Sequence, residues 1–315
     1  MPAPVTRVLD AAGSWLPMTM AEVESRLARI AADPGGPLAD DASATLSAGG
    51  KRLRPLLVLL CAGPEAGERA TTAAVAVELV HMATLVHDDV LDVAPLRRGR
   101  PTVLATSGRL RATATCDLLS PRAFAELASG GEVRQVGRLT SAAVALARGE
   151  LAQRRDAFEL GVSAERYLER CGLKTAALFE CACAIGNENA DLAGYGRGLG
   201  LAFQLLDDVL DVTGPPERTG KARGTDLLDG TVTLPLIRAR ERDPSLDELD
   251  LRRLDPDSAE ELCDRIVATG VTEEVRDIAR AKVAEARAEL DGAGLEPDRR
   301  RLLDIVADGV VERYG

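Results

Sequence analysis

The sequence predicts an all-α protein, on three observations. Aromatic residues make up only 3% of the 315 residues, and the apolar complement is mostly Ala, Leu and Val. Long stretches mix these residues with Glu and Arg, a composition that favours helix over sheet by intrinsic propensity. Gly- and Pro-rich breaker clusters divide the chain into segments of helix length.

A first helix is expected over about 19–32, stopped by DPGGP, and a second from Leu38 to the Gly49–Gly50 pair. GGKRLRP leads into LLVLLCAG, apolar enough to be buried. From Thr71 a helix runs through TTAAVAVELVHMATLVHDDVLDV and must end by Pro95. Four more helices are expected over 109–129, 138–156, 163–186 and 190–212, parted by GG, LGV and NEN. GPPERTGKARGTDLLDG, residues 214–230, reads as a surface loop rather than a linker. TLPLIRARE, DSAEELCDRIVATG, EEVRDIARAKVAEARAEL and PDRRRLLDIVADGVVERYG supply the remaining helices. Nothing resembles a flexible tether, so a single domain over residues 1–315, with ten or more helices, is the expectation.

A net charge of −11 argues against nucleic acid or an anionic membrane surface as a generic partner. No basic leader precedes an apolar stretch and no run reaches membrane-spanning length, so a cytoplasmic protein without stable membrane insertion is expected. The six cysteines show neither CxxC pairs nor zinc-finger spacing with histidine, and read as small buried hydrophobes.

The hexapeptide DDVLDV occurs twice, at 88–93 and 207–212, each time at the end of a long apolar helix. Its first and last Asp are four apart and share one helix face, so Asp88 and Asp92, and Asp207 and Asp211, form two acidic stripes, with Asp89 and Asp208 beside them. Glu78, His81 and Thr84 extend the first stripe, and Gln204 the second. A lone DDxxD is also what the solvated face of an amphipathic helix looks like. Here the flanking VAVELV, MATLV and GLGLAFQLL are apolar nearly all round, as in buried helices. Two buried carboxylates about 5 Å apart repel by about 3 kcal/mol at an effective dielectric near 20, so a cation is needed between them. With oxygen donors alone, Mg2+ is the natural ion, bound through one or two carboxylates plus waters and substrate phosphates. Two stripes facing each other could hold several such ions around one polyphosphate.

Phosphates need cations on their other side too. GGKRLRP offers Lys51, Arg52 and Arg54, and RRGRP offers Arg97 and Arg98. Either cluster alone also fits a solvated loop; Arg forks beside acidic stripes favour phosphate recognition. The only histidines, His81 and His87, lie on the first acidic helix, where His87 could orient Asp88 and His81 could donate to a second phosphate.

In order and spacing, GGKRLRP, VELVHMATLVHDDVLD, RRGRPT, GEL, KTAALF, GLAFQLLDDVLD, GK and GTDLLDGTVTLP resemble the trans-isoprenyl (polyprenyl) diphosphate synthase family. The resemblance implies an isoprenoid-synthase fold around a central cavity, with both Asp motifs at its mouth, and a homodimer. It also implies condensation of an allylic prenyl diphosphate with isopentenyl diphosphate, using several Mg2+ per site. Asp88, Asp92 and Asp207 then match metal ligands, supported by Asp89, Asp208 and Asp211. Lys51, Arg54, His81 and Arg98 match contacts to isopentenyl diphosphate, and Arg97, Lys174 and Lys221 contacts to the allylic diphosphate. Thr175 and Gln204, with Lys174 as the catalytic set, match positions that stabilise the developing carbocation. Small residues upstream of the first motif, Ala83, Thr84 and Ala76, imply a product of geranylgeranyl length or longer. Arg109, Cys116, Thr231 and Val93 depart from the family pattern. The alternatives are a terpene cyclase on the same fold, which has little need for GGKRLRP and His81, and a non-catalytic partner subunit, which typically lacks complete Asp motifs.

Overall fold

Breaker positions set the boundaries of the helices in the computed structural model, which describes residues 3–187, 191–214 and 223–312. The described helices are α1 (Ala3–Ala11), α2 (Trp15–Ala32), α3 (Gly36–Ser47), α4 (Leu53–Ala62), α5 (Gly67–Leu91), α6 (Val103–Ser129), α7 (Val133–Asp156), α8 (Ala164–Cys171), α9 (Ala177–Gly186), α10 (Ala193–Thr213), α11 (Thr225–Leu228), α12 (Leu234–Arg242), α13 (Pro256–Ala268), α14 (Val271–Glu289) and α15 (Pro297–Glu312). A two-residue hairpin, β1 (Leu96–Arg97) and β2 (Arg100–Pro101), joins α5 to α6. The chain divides into two compact units. The first contains Met1–Ala143, Leu178–Gly196 and Glu289–Gly309, and the second Val144–Ala177, Arg197–Ala288 and Val310–Gly315.

In the first unit α5 is the core, packed by α2, α4 and α6. With its preceding turn it is long and apolar enough to cross a membrane, yet most of that surface is buried against its neighbours. This explains why α5 is apolar nearly all round apart from its one polar stripe: a helix surrounded by protein needs no broad solvated face. LLVLLCA, which the sequence marked only as buried, is the helix α4, and Gly186 of α9 packs directly on its backbone at Val58. Tyr195 fixes the start of α10 by donating to the Leu303 carbonyl at 2.7 Å.

In the second unit Gly198 of α10 lies against Ala286 of α14, and Gly224 against Ala259 and Cys263 of α13. The expected 214–230 loop is partly corrected, because Thr225–Leu228 is helical and buries Leu227. The expected 163–186 helix is also interrupted. Gly172–Ala176 winds as one π turn between α8 and α9, a feature common where a helix carries a functional side chain. Its neighbour explains the position: a Cβ on Gly149 of α7 would sit 2.5 Å from the Lys174 nitrogen, so α7 can approach the π turn only because residue 149 has none.

Candidate active site

The end of α5 carries the first stripe. Asp88 is half-buried and Asp92 exposed, whereas Asp89 turns inward onto Arg97 at 2.7 Å. Burial pushes the Asp89 carboxyl up, opposed by the Arg97 guanidinium. The helix ends in a Schellman turn, with the Ala94 amide donating to the Asp89 carbonyl at 3.0 Å and Val93 at φ 53°. A β-branched residue rarely adopts a left-handed conformation, and strain of this kind is retained where the turn serves a purpose. Here the turn folds the hairpin back and lets Arg97 reach Asp89. Val93→Gly is therefore expected to stabilise the fold by about 1 kcal/mol, read as a raised urea midpoint with unchanged m-value.

The cations of the two basic loops meet beside this stripe. Arg98 donates to the Gly49 carbonyl, and Arg100 to the Ser47 carbonyl at 2.8 Å, which pins the hairpin on the GGKRLRP loop. Arg52 proves to be a brace, with its guanidinium held by Glu24 at 2.6 Å, Glu78 at 2.9 Å and the Leu46 carbonyl at 3.0 Å. Arg54 stacks over Phe179 at 4.5 Å, its Nη1 lies 3.2 Å from His81 Nε2, and its buried Nε has no partner. Burial, then Arg54, Arg98, Arg97 and Arg52 in that order, holds the His81 imidazole well below its usual range. His81 is therefore neutral. Since Arg54 can only donate, Nε2 accepts and Nδ1 carries the proton, ready to be offered to an anion. Lys51 shares the loop, and Thr84 on the next turn donates to the His81 carbonyl at 2.8 Å. The small residues expected to bear on product length lie on the same helix: Ala76 and Ala83 are buried, and the Cys116 thiol donates to the Ala83 carbonyl at 3.5 Å.

In the second unit α10 carries the other stripe. Asp207 and Asp211 are half-buried, while Asp208 is 2% exposed and accepts from Tyr167 at 2.5 Å and Gln204 at 2.7 Å. Burial, then Asp226 across from it, pushes the Asp208 carboxyl up to about 8. Asp211 grips the start of α11, accepting from the Asp226 amide at 3.2 Å. Arg223 closes the end of α10 by donating to the Val212 carbonyl at 2.9 Å. In the π turn, Lys174 pairs with Glu150 at 2.5 Å, and Thr175 donates to Gln204 Oε1 at 2.6 Å. Lys221 lies outside the described residues.

Among the described residues no three His, Cys, Asp or Glu side chains come together closely enough to hold a metal unaided. The donors nevertheless fit Mg2+. They are hard oxygens in i, i+4 pairs, and Mg2+ ordinarily completes its octahedron with waters and substrate phosphates.

The polyprenyl synthetase family profile matches residues 37–268, which include every acidic and basic motif described above. The chain belongs to the polyprenyl synthetase family. It is a prenyltransferase with the all-α isoprenoid-synthase fold. Among its relatives, heptaprenyl diphosphate synthase component 2 of Geobacillus stearothermophilus is 42% identical over 73% of this chain and 75% of that one. Geranylgeranyl diphosphate synthase of Methanosarcina mazei is 34% identical over 85% and 87%. A polyprenyl synthase from Caulobacter crescentus CB15, solved with calcium and isoprenyl diphosphate, superposes with a TM-score of 0.89 at 32% identity, covering 99% of this chain and 98% of its own.

Four residues of this polyprenyl synthetase escaped the sequence reading. Glu150 and Asp226 stood inside GEL and GTD, and Phe179 ended KTAALF, so motif membership was a signal for all three. Tyr167 had none, because its role depends on α8 delivering a phenol to α10.

Proposed function

We propose that this polyprenyl synthetase condenses an allylic diphosphate with isopentenyl diphosphate to give a trans-polyprenyl diphosphate of geranylgeranyl length or longer. The observation that carries the reading is the group of Arg54, Arg97 and Arg98 around a neutral His81, beside the Asp88–Asp92 stripe. A cyclase, which ionises one diphosphate, has no use for a second anion subsite. In this reading Arg97, Lys174 and Lys221 take up the charge of the leaving diphosphate, while Lys51, Arg54, Arg98 and His81 seat isopentenyl diphosphate. Asp88, Asp92 and Asp207, supported by Asp89, Asp208 and Asp211, are the residues that would hold Mg2+. When bound, Mg2+ supplies neutralisation of the diphosphate, making it a better leaving group.

The allylic C–O bond breaks with its electron pair leaving on diphosphate. The isopentenyl π pair forms the new C–C bond, and a proton is lost to the departing diphosphate. Thr175 and Gln204 present oxygen dipoles to the developing cation, and apolar walls exclude the water that would quench it. Lys174 reaches this role by exchanging Glu150 for the incoming diphosphate.

Ala76, Ala83 and Thr84 leave the wall of α5 low, which supports the longer product. Ala83→Phe is expected to shift products toward shorter chains without loss of helical circular dichroism; an unchanged product ladder removes α5 as the ruler. Leu110, 84% exposed on α6, supports association as a homodimer. With α5 buried in protein rather than lipid, the reading remains a single cytoplasmic enzyme. The test is incubation of the purified chain with Mg2+, labelled isopentenyl diphosphate and several allylic primers. Elongated diphosphates are expected; hydrocarbon release indicates cyclisation, and no consumption indicates a non-catalytic subunit.

A further inference from the structure

Tyr167 is a fully buried phenol to which neither the acidic and basic motifs nor the proposed transfer reaction assigns a role. Its hydroxyl donates to Asp208 Oδ2 at 2.5 Å, Asp208 Oδ1 receives the Gln204 amide nitrogen at 2.7 Å, and Gln204 Oε1 receives the Thr175 hydroxyl at 2.6 Å. The relay has a direction. At 2.5 Å from a carboxyl oxygen of Asp208, the phenol O–H is the donor. With Oδ2 taken up by the Tyr167 hydroxyl, Oδ1 faces the Gln204 amide nitrogen at 2.7 Å and accepts from its NH2.

The carbonyl end of Gln204 must then point the other way. Thr175 uses one of its two lone-pair directions and the second is left to face positive charge. Released from this constraint, the amide could flip and present NH2, reversing the sign of its dipole at the place where carbocation character develops. Because electrostatic stabilisation depends on dipoles fixed before the reaction, the orientation matters as much as the presence of the amide.

We propose that Tyr167 is a positioning residue that, through Asp208, sets the orientation of the Gln204 amide and so the sign of the field at the allylic cation. The proposal rests on the prenyl-transfer reading above.

The test is a double-mutant cycle with Mg2+, isopentenyl diphosphate and one allylic primer. Tyr167→Phe keeps the ring packed while removing the donor, and is expected to lower kcat by about 10- to 100-fold, with either KM changed less than about twofold. In a Gln204→Leu background the same substitution is expected to cost less than about twofold, because there is no amide left to orient. 4-Aminophenylalanine at position 167, introduced by amber suppression, restores a donor and is expected to return kcat to within about threefold of native. It also serves as the working variant if Tyr167→Phe does not fold. Equal losses in the two backgrounds, a KM effect without a kcat effect, or an inert Tyr167→Phe each overturn the role. Elongation by the native chain with an inert variant sinks this inference alone. No elongation by the native chain sinks the transfer reading and this role with it.

Discussion

Asp88→Ala is expected to lower kcat for prenyl transfer by roughly 10³-fold or more while raising stability slightly. Both halves of the expectation follow from where the residue sits. Asp88, Asp89 and Asp92 occupy the last turn and cap of α5, the negative end of the helix dipole, where carboxylates are disfavoured by about 0.3–1 kcal/mol each. Replacing Asp88 relieves the helix end of one carboxylate while removing one of the proposed Mg2+ ligands. Asp89→Ala shifts stability the other way, since it strips a partly buried Arg97 of its partner and lowers stability. Steady-state turnover and thermal melting of the two variants separate the roles. An Asp88→Ala variant that turns over normally refutes the assignment.

The second large effect comes from a residue without a side chain. Gly149→Ala places a methyl 2.5 Å from the Lys174 nitrogen, 2.7 Å from its Cα and 2.9 Å from the Leu173 carbonyl carbon. These are backbone atoms and cannot rotate aside, so α7 and the π turn must separate. Overpacking of this kind costs about 1–3 kcal/mol. The displaced turn carries Lys174 and Thr175, and misplacement of catalytic groups by about 1 Å can lower turnover by about 10²-fold. Gly137 on the same helix meets nothing within 4 Å, so Gly137→Ala is the control, expected to add about 0.5–1 kcal/mol with activity unchanged. Urea titration and kcat distinguish the two, and a benign Gly149→Ala removes the close approach as the reason for glycine in GEL.

Local signals in the sequence were enough for most helices and for the acidic and basic motifs. DPGGP, Pro95 and the Gly49–Gly50 pair mark ends that the structure keeps within a few residues, and the i, i+4 spacing of Asp88 and Asp92 needs only helix geometry. What was illegible depends on distant chain. Nothing local in GLKTA announces a π turn, whose cause is a glycine in another helix. Arg52 and Arg54 look alike in GGKRLRP, yet Glu24 and Glu78 immobilise one while Phe179 and His81 prepare the other. Likewise the two Asp of each DD pair are distinguished only by what lies behind them, Arg97 for Asp89 and Tyr167 for Asp208.

The proposal on which the rest depends is that each stripe is needed for divalent ions to bind together with the allylic diphosphate. Its most direct test is uptake of Mn2+, followed by electron paramagnetic resonance, with and without a non-ionising allylic thiolodiphosphate. The native chain is expected to take up several ions tightly only with the analogue present, and Asp88→Ala and Asp207→Ala are each expected to abolish that joint uptake. Joint uptake that survives either substitution unchanged, or tight uptake indifferent to the analogue, contradicts the account.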